Sequence, residues 1–341
     1  MPRKPIIYSL TTMHESGMNR LHEAGEVRMA SSLKPEVLHK EIVDADALVI
    51  RTAGDINAAL MDHAPKLRVI GRHGVGYDQV DVPAATARGI QVVYTPGANT
   101  EAVAEHVIAM MIGVSKHFPR QALALVEGRY NDRTKLVGRD IYGKTLGIIG
   151  FGKIGRRVGA IAHLAFGMKV LYNDVVGAPK DVEERAGATR VSFDEILAAS
   201  DYLTLHVPLD GSTRQIINRD ALARLKPNAV LINTCRGPVC DEHAVAAALD
   251  SKHLFGYGAD VFTVEPPEPN HPLIGRLDCT LTPHSAAQTI ESLTNMATEV
   301  AIDVINILAG RTPINPVNDP VEVAASRARL GKPALTEDMF A

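Results

Sequence analysis

Along the chain, short apolar runs alternate with segments whose apolar residues recur every three or four positions. Runs at 6–10, 26–29, 47–50, 67–70 and 91–94 read as strands. Between them, residues 18–24, 35–42 and 82–88 carry the helical repeat. Strands alternating with helices predict a parallel sheet covered on both faces, so the opening part of the chain forms one α/β domain. Residues 100–116 follow Thr95-Pro96-Gly97, place Glu101 in an opening helical turn and are apolar around most of the circumference. Such a helix is buried on several sides, as a link between domains or beneath a subunit contact. After an irregular polar stretch at 129–140, a second series begins. Residues 145–149, 169–173, 202–206, 230–233, 255–260 and 279–282 read as strands, with helices such as 156–166 and 243–249 between them. That predicts a second, larger doubly wound sheet. The pattern at 289–308 is again helical and stops before Gly310, whereas the stretch from 321 onward mixes charge with Pro333 and predicts no element.

Composition narrows what such a chain can do. Its 341 residues suffice for two domains of ordinary size, and 46% hydrophobic with 22% charged residues exclude a disordered or fibrous polypeptide. A formal charge of -3 supplies no field that would gather nucleic acid or an anionic membrane, so neither is an expected partner and any anionic ligand is held locally. Cys235, Cys240 and Cys279 make no disulfide framework. With no second cysteine pair beside Cys235 and Cys240, no metal site is expected. The first residues are basic but lack the apolar stretch of a signal peptide, and no run approaches a membrane span, so the expected compartment is the cytoplasm.

One motif has chemistry written into its context. Gly150-Phe151-Gly152-Lys153-Ile154-Gly155 is G-x-G-x-x-G, entered from an expected strand and left by an expected helix. In a dinucleotide-binding turn Gly150 permits the bend, Gly152 admits a pyrophosphate, and Gly155 lets helix pack on strand, with helix-terminal amides facing the phosphates. Asp174 stands about twenty residues beyond, at the end of the next expected strand, where an acid binds the adenosine ribose hydroxyls. A carboxylate there repels a 2'-phosphate, and Val175 brings no arginine to offset it, so NAD is the expected cofactor.

Charged residues also cluster where strands of the second sheet should end: Arg236, Asp260, Glu265 and His284. Ligands in open α/β sheets bind off those carboxyl ends. The segments GRHGVGYDQVD (71–81), TPGANTEAVAEH (95–106), GIIGFGKIGRRVG (147–159), HVPL (206–209), INTCRGPVCDE (232–242), ADVFTVEPP (259–267) and TPHSAAQT (282–289) resemble the NAD-dependent D-2-hydroxyacid dehydrogenase family, in order and without a large gap. The resemblance implies a catalytic trio of Arg236, Glu265 and His284. Those residue types suit carbonyl reduction: a guanidinium to orient and polarise a 2-oxo acid, an imidazole to move a proton, and a carboxylate to hold the imidazole. It further implies that the Gly74, Val75 and Gly76 amides grip the substrate carboxylate and that Asp260 with the backbone near Cys235 meets the nicotinamide carboxamide. Lys153, Ile154, Val207 and Pro208 would line the same cofactor. Arg51, after an early strand, could reach a substrate tail. His73, His106 and His206 lie in motif segments and are read as packing or locally bonded residues.

The resemblance implies two doubly wound parallel-sheet domains, a Rossmann cofactor domain at 99–289 inserted into a flavodoxin-like substrate domain at 1–98 plus 290–320, with 321–341 as a tail. It also implies an active site between the domains and a homodimer, for which the apolar segment 102–114 is the expected contact. Within the family the chain looks most like 3-phosphoglycerate dehydrogenases without their regulatory domain, acting on 3-phosphoglycerate and phosphohydroxypyruvate. Hydroxypyruvate or glyoxylate reduction is the alternative. A reading of another class is an NAD-sensing transcriptional co-repressor, which resembles the same family. Formate dehydrogenase resembles it too, but with glutamine where this chain has Glu265.

Overall fold

The computed structural model describes residues 3–51 and 54–335. By internal contacts the chain divides into two units: residues up to Asn99 together with those from Thr289 onward, and an inserted second unit, Thr100–Gln288.

The first unit is built on β1 (Ile6–Ser9), β2 (Glu26–Met29), β3 (Ala47–Ile50), β4 (Val69–Arg72) and β5 (Gln91–Val93), in the order β2-β1-β3-β4-β5. Every pairing is parallel, and the order is that of a flavodoxin-like sheet. Ala47, Leu48, Val49 and Ile50 are all fully buried, which explains why β3 reads as an unbroken apolar run. Leu48, Ile50 and Ile70 pack with Leu38, Ile42 and Leu60 on one face. Ile7, Val49 and Val69 pack with Leu21, Val300 and Val304 on the other, where the helices Glu15–Ala24 and Ile290–Leu308 lie.

The expected strand at 67–70 is displaced: β4 starts at Val69 and takes in Arg72, paired with Ile50. Buried arginines hide this from the pattern. Arg68, only 2% exposed, donates from Nη1 and Nη2 to the carbonyls of Leu308 and Ile307, where the last-turn carbonyls of the helix Ile290–Leu308 lack intrahelical donors. The expected tail at 321–341 is not set apart either. The helix Pro320–Arg329 buries Val323, and Arg327 donates to the Gly89 carbonyl of the same unit; residues 336–341 lie outside the described residues.

The second unit holds β6 (Thr145–Ile149), β7 (Lys169–Asn173), β8 (Ala188–Arg190), β9 (Tyr202–Leu205), β10 (Ala229–Asn233), β11 (Leu254–Ala259) and β12 (Cys279–Leu281). Their order is β12-β11-β10-β9-β6-β7-β8, again all parallel. It is a Rossmann sheet whose strand order reverses between β6 and β9, the place where such sheets bind ligands. The helix Thr100–Ser115 covers this sheet: Ala104, Val107, Met110, Met111 and Val114 share one core with Leu146, Ile148, Val158 and Ile232. Its apolar circumference is thus used inside the unit, which corrects the expectation of a subunit contact at 102–114. Large exposed apolar side chains come later, at Phe118, Leu125, Val126, Tyr130, Val137 and Tyr142. Short helices such as Ala58–Asp62 and Arg219–Ala223 do not show a full apolar period and escape the sequence pattern. No helix among the described residues is long and apolar enough to cross a membrane.

Candidate active site

The turn after β6 is shaped by steric exclusion. Gly150 has φ +90°, and a Cβ there would lie 2.5 Å from the His206 carbonyl oxygen. A Cβ on Gly155 would lie 2.3 Å from the Gly150 carbonyl oxygen, so the helix Lys153–Phe166 can close on the strand only with glycine. Gly152 differs: a Cβ there would project into open space, and as the residue before the helix it offers no capping side chain. The first-turn amides and the positive end of the helix dipole therefore border an open cradle, which fits a dinucleotide pyrophosphate.

Asp174 directly follows β7. Its Oδ2 accepts the Phe151 N–H at 2.6 Å and its Oδ1 the Val176 N–H at 3.1 Å, which sets the carboxylate against the glycine turn with acceptor capacity remaining. That suits ribose hydroxyls. Val175, the chain neighbour of Asp174, brings no cation and is 95% exposed. The structure brings one from β8: Arg190 donates from Nη2 to the carbonyls of Asp174 at 2.8 Å and Val175 at 3.2 Å. Nothing in local spacing announces this, because the neighbour relation arises from the β7–β8 pairing. Val207 and Pro208 follow β9, where the His206 N–H donates to the Ile149 carbonyl at 2.7 Å and holds them beside the same turn.

Across the switch point, β10, β11 and β12 are adjacent and deliver the remaining residues at their carboxyl ends. After β10, buried Asn233 locks the turn, accepting the Cys235 N–H at 3.1 Å and donating to the Arg236 carbonyl at 2.9 Å. Arg236 donates from Nη1 to the Cys235 carbonyl at 2.7 Å. Glu265 accepts the Phe262 N–H at 3.0 Å on Oε1, and its Oε2 meets His284 Nδ1 at 2.7 Å. Burial pushes the Glu265 carboxyl up, but the bonds from His284 and the Phe262 amide, with the charges of His284 and Arg236, outweigh it and hold the group below the usual glutamate range. A carboxylate only accepts, so His284 Nδ1 carries the proton and Nε2 is the ring atom left for exchange with a ligand. About a third of each side chain is exposed (33% and 35%), enough for a small molecule to reach the pair. Asp260, 1% exposed, accepts from the Thr282 hydroxyl at 2.5 Å and from the Ser285 and Ala286 amides at 2.7 and 2.8 Å.

Arg51, Gly74, Val75 and Gly76 belong to the first unit. Arg72, buried, donates to the carbonyls of His73 and Gly76 and so folds the loop around its guanidinium. None of the amides of Gly74, Val75 and Gly76 donates to a group among the described residues. Burial lowers the Arg51 guanidinium from its usual range.

The other motif histidines are placed differently from His284. Burial, with the charges of Arg51 and Arg72, pushes His73 down to about 4, so it is neutral at ordinary pH. His206 bonds Thr204 Oγ1 at 3.0 Å, and burial pushes it down as well. His106, on the helix Thr100–Ser115, reaches Thr282 Oγ1 at 2.9 Å, a tertiary contact that its sequence segment does not signal. Burial pushes the Cys235 thiol up to about 11, which keeps it in the thiol form at ordinary pH.

Residues 108–286 match the family model described as D-isomer specific 2-hydroxyacid dehydrogenase, NAD binding domain. The chain is 40% identical over 309 residues to a D-3-phosphoglycerate dehydrogenase of Methanocaldococcus jannaschii, a match that covers 90% of this chain and 58% of that protein. It thus spans little more than half the length of that relative. A glyoxylate reductase of Korarchaeum cryptofilum is 36% identical over 324 residues, 93% of this chain and 97% of that protein. The crystal structure of a D-lactate dehydrogenase from Aquifex aeolicus, complexed with NAD and lactic acid, superposes with a TM-score of 0.84 at 28% identity, covering 92% of this chain and 98% of that one.

Proposed function

The chain belongs to the D-isomer specific 2-hydroxyacid dehydrogenases, and from that premise we propose that it interconverts a small 2-oxo acid and its D-2-hydroxy acid with NAD as cofactor. In the reducing direction a 2-oxo acid, NADH and a proton give the hydroxy acid and NAD⁺; bound NADH supplies the hydride. Arg236 orients the substrate and polarises its carbonyl, since a guanidinium keeps its charge and its planar fork spans two oxygens. His284 gives the proton from Nε2 to the carbonyl oxygen as charge builds there, and takes it back in the oxidising direction. Glu265 keeps Nδ1 protonated and holds the ring in orientation. The undonated amides of Gly74, Val75 and Gly76 take the substrate carboxylate. Gly150, Gly152, Lys153, Ile154 and Gly155 cradle the pyrophosphate and Asp174 binds the ribose. Val207, Pro208 and the backbone at Cys235 line the cofactor, with the acceptor capacity left on Asp260 for its carboxamide.

The observation that carries this reading is the 2.7 Å His284–Glu265 pair, under the charge of Arg236, on the same strand-end edge as an open glycine cradle. For substrate, we favour phosphohydroxypyruvate, with Arg51 as the cation for its phosphate, in line with the 40% identity to a phosphoglycerate dehydrogenase. Hydroxypyruvate or glyoxylate is the second reading, favoured by a glyoxylate reductase matched over 97% of its length. The three free cysteines suit the cytoplasm. The exposed apolar residues from Phe118 to Tyr142 are the surface on which a second copy would form a homodimer. The test is NADH consumption with phosphohydroxypyruvate, hydroxypyruvate, glyoxylate and pyruvate. Oxidation with one of them is expected; tight NADH binding without turnover on any would overturn the enzyme reading in favour of an NAD-sensing role.

A further inference from the structure

We propose that His106 and Thr282 are positioning residues for His284, acting through Asp260; this rests on His284 being the proton-transferring group. His284 has φ +51°, in the left-handed region, where a non-glycine residue sits at a cost of roughly 1 kcal/mol. Something must hold it there. The Asp260 carboxylate bonds groups on both sides of it: the Thr282 hydroxyl before, and the Ser285 and Ala286 amides after. The His284 N–H donates to the Asp260 carbonyl at 2.7 Å, so one residue at the end of β11 clamps the whole turn.

The side-chain bonds run in a single direction. Thr282 has a single hydroxyl hydrogen, and at 2.5 Å from Asp260 Oδ1 it goes to the carboxylate, which only accepts. Thr282 Oγ1 is then the acceptor for His106 Nε2 at 2.9 Å, so that nitrogen must carry a hydrogen. The result is a line of donors, His106 to Thr282 to Asp260. His106 is carried by a helix whose next residues, Val107, Met110 and Met111, are fixed in the core. The line therefore transmits the rigidity of that core to the turn that presents the catalytic imidazole. It touches no substrate; its effect is on where His284 points, and an imidazole displaced by about 1 Å can lose on the order of 100-fold in rate.

The experiment combines Thr282→Val and His106→Leu, which remove the donors, with Thr282→Ser and His106→Gln, which keep them. The Val and Leu variants are expected to lower kcat roughly 10- to 100-fold with NADH affinity unchanged, and the Ser and Gln variants to recover most of the loss. The readout that a merely structural role would not move is the low-field proton resonance of His284 Nδ1–H bonded to Glu265, assigned by its absence in His284→Gln. It should shift or vanish in Thr282→Val and His106→Leu and persist in the conservative pair. Folded variants with an unmoved resonance and unchanged kcat would overturn the proposal. If Thr282→Val does not fold, His106→Leu decides, because it leaves the Thr282–Asp260 bond in place; if neither folds, the residues are structural and the proposal falls. Should the wild-type protein turn over no acid, the functional reading fails, while the resonance still reports whether the turn is positioned.

Discussion

The second unit contains two histidine–glutamate pairs in very different settings. His284 and Glu265 meet at 2.7 Å with side chains 33% and 35% exposed; His271 and Glu242 meet at 3.2 Å with side chains 12% and 8% exposed. In the buried pair the imidazole presents Nε2 to Glu242 and its Nδ1 to the Leu273 N–H at 3.4 Å, so both ring nitrogens are engaged. Glu242 also accepts the Thr263 N–H at 3.0 Å. The exposed pair engages only Nδ1 with its glutamate. The same two residue types thus form a brace in one place and, in the function proposed above, a proton-exchanging pair in the other. What separates them is whether a nitrogen is left over, and the brace holds the loop on which Glu265 rides.

Removing each imidazole in turn should separate the two pairs. His284→Ala should slow carbonyl reduction by roughly 100- to 10,000-fold with NADH affinity intact, measured by steady-state kinetics and fluorescence titration. A near-normal rate would remove His284 from the chemistry.

The rule of leftover bonding capacity can be sharpened at Asp174. Asp174→Ala should weaken NADH binding by about 1–3 kcal/mol, the scale for hydrogen bonds to a charged group. It should also improve NADPH use without any added arginine, because Arg190 already lies on the carbonyls of residues 174 and 175. Arg190→Ala in that background should abolish the NADPH gain. An unmoved ratio of kcat/KM for the two cofactors in Asp174→Ala would show that this carboxylate does not bind the ribose.

At the buried pair, His271→Ala should change kcat by no more than a few-fold while lowering stability by about 1–3 kcal/mol, because Glu242 keeps its burial and loses a partner. Denaturant melts would show it; a collapse in kcat with unchanged stability would merge the two pairs into one function.

The smallest effect is on pH dependence. Glu265 is held below its ordinary range, so its contribution to stability is present above the unfolded value of about 4.3 and is lost as pH falls through the lower folded value. Glu265→Gln should therefore lower Tm slightly at neutral pH and flatten its acid limb, so that the two proteins converge below about 4. An identical acid limb in both proteins would show that the pair is not charged as described.

Most of the parallel sheet architecture is legible along the chain, because fully buried strands need unbroken apolar runs and cannot hide. The displaced start of β4 shows where this stops: Arg68 and Arg72 interrupt the apolar pattern, yet both are buried, Arg68 with its hydrogens on the distant carbonyls of Ile307 and Leu308 and Arg72 with its own on carbonyls of the loop that follows it. The helix Thr100–Ser115 shows the converse, since its apolar circumference says that it is covered without saying by what, and the covering surface is its own sheet.

Features that short-range geometry imposes can be read directly from the order of residues. G-x-G-x-x-G between strand and helix can fold into one turn, Asp174 must follow β7, and Arg236, Asp260 and His284 must leave strand ends on one edge of a parallel sheet. Which of these groups have bonds to spare depends on the folded arrangement. Arg190 reaches Asp174 through strand pairing, His106 reaches Thr282 across a stretch of 176 residues, and a Cβ on Gly237 would lie 2.0 Å from the Phe262 carbonyl carbon, which brings the Arg236 turn against the Glu265 loop. The physical reason is that a hydrogen bond depends on distance and direction in space, whereas spacing along the chain constrains those only within a turn or a strand; beyond that, sheet order and core packing set them.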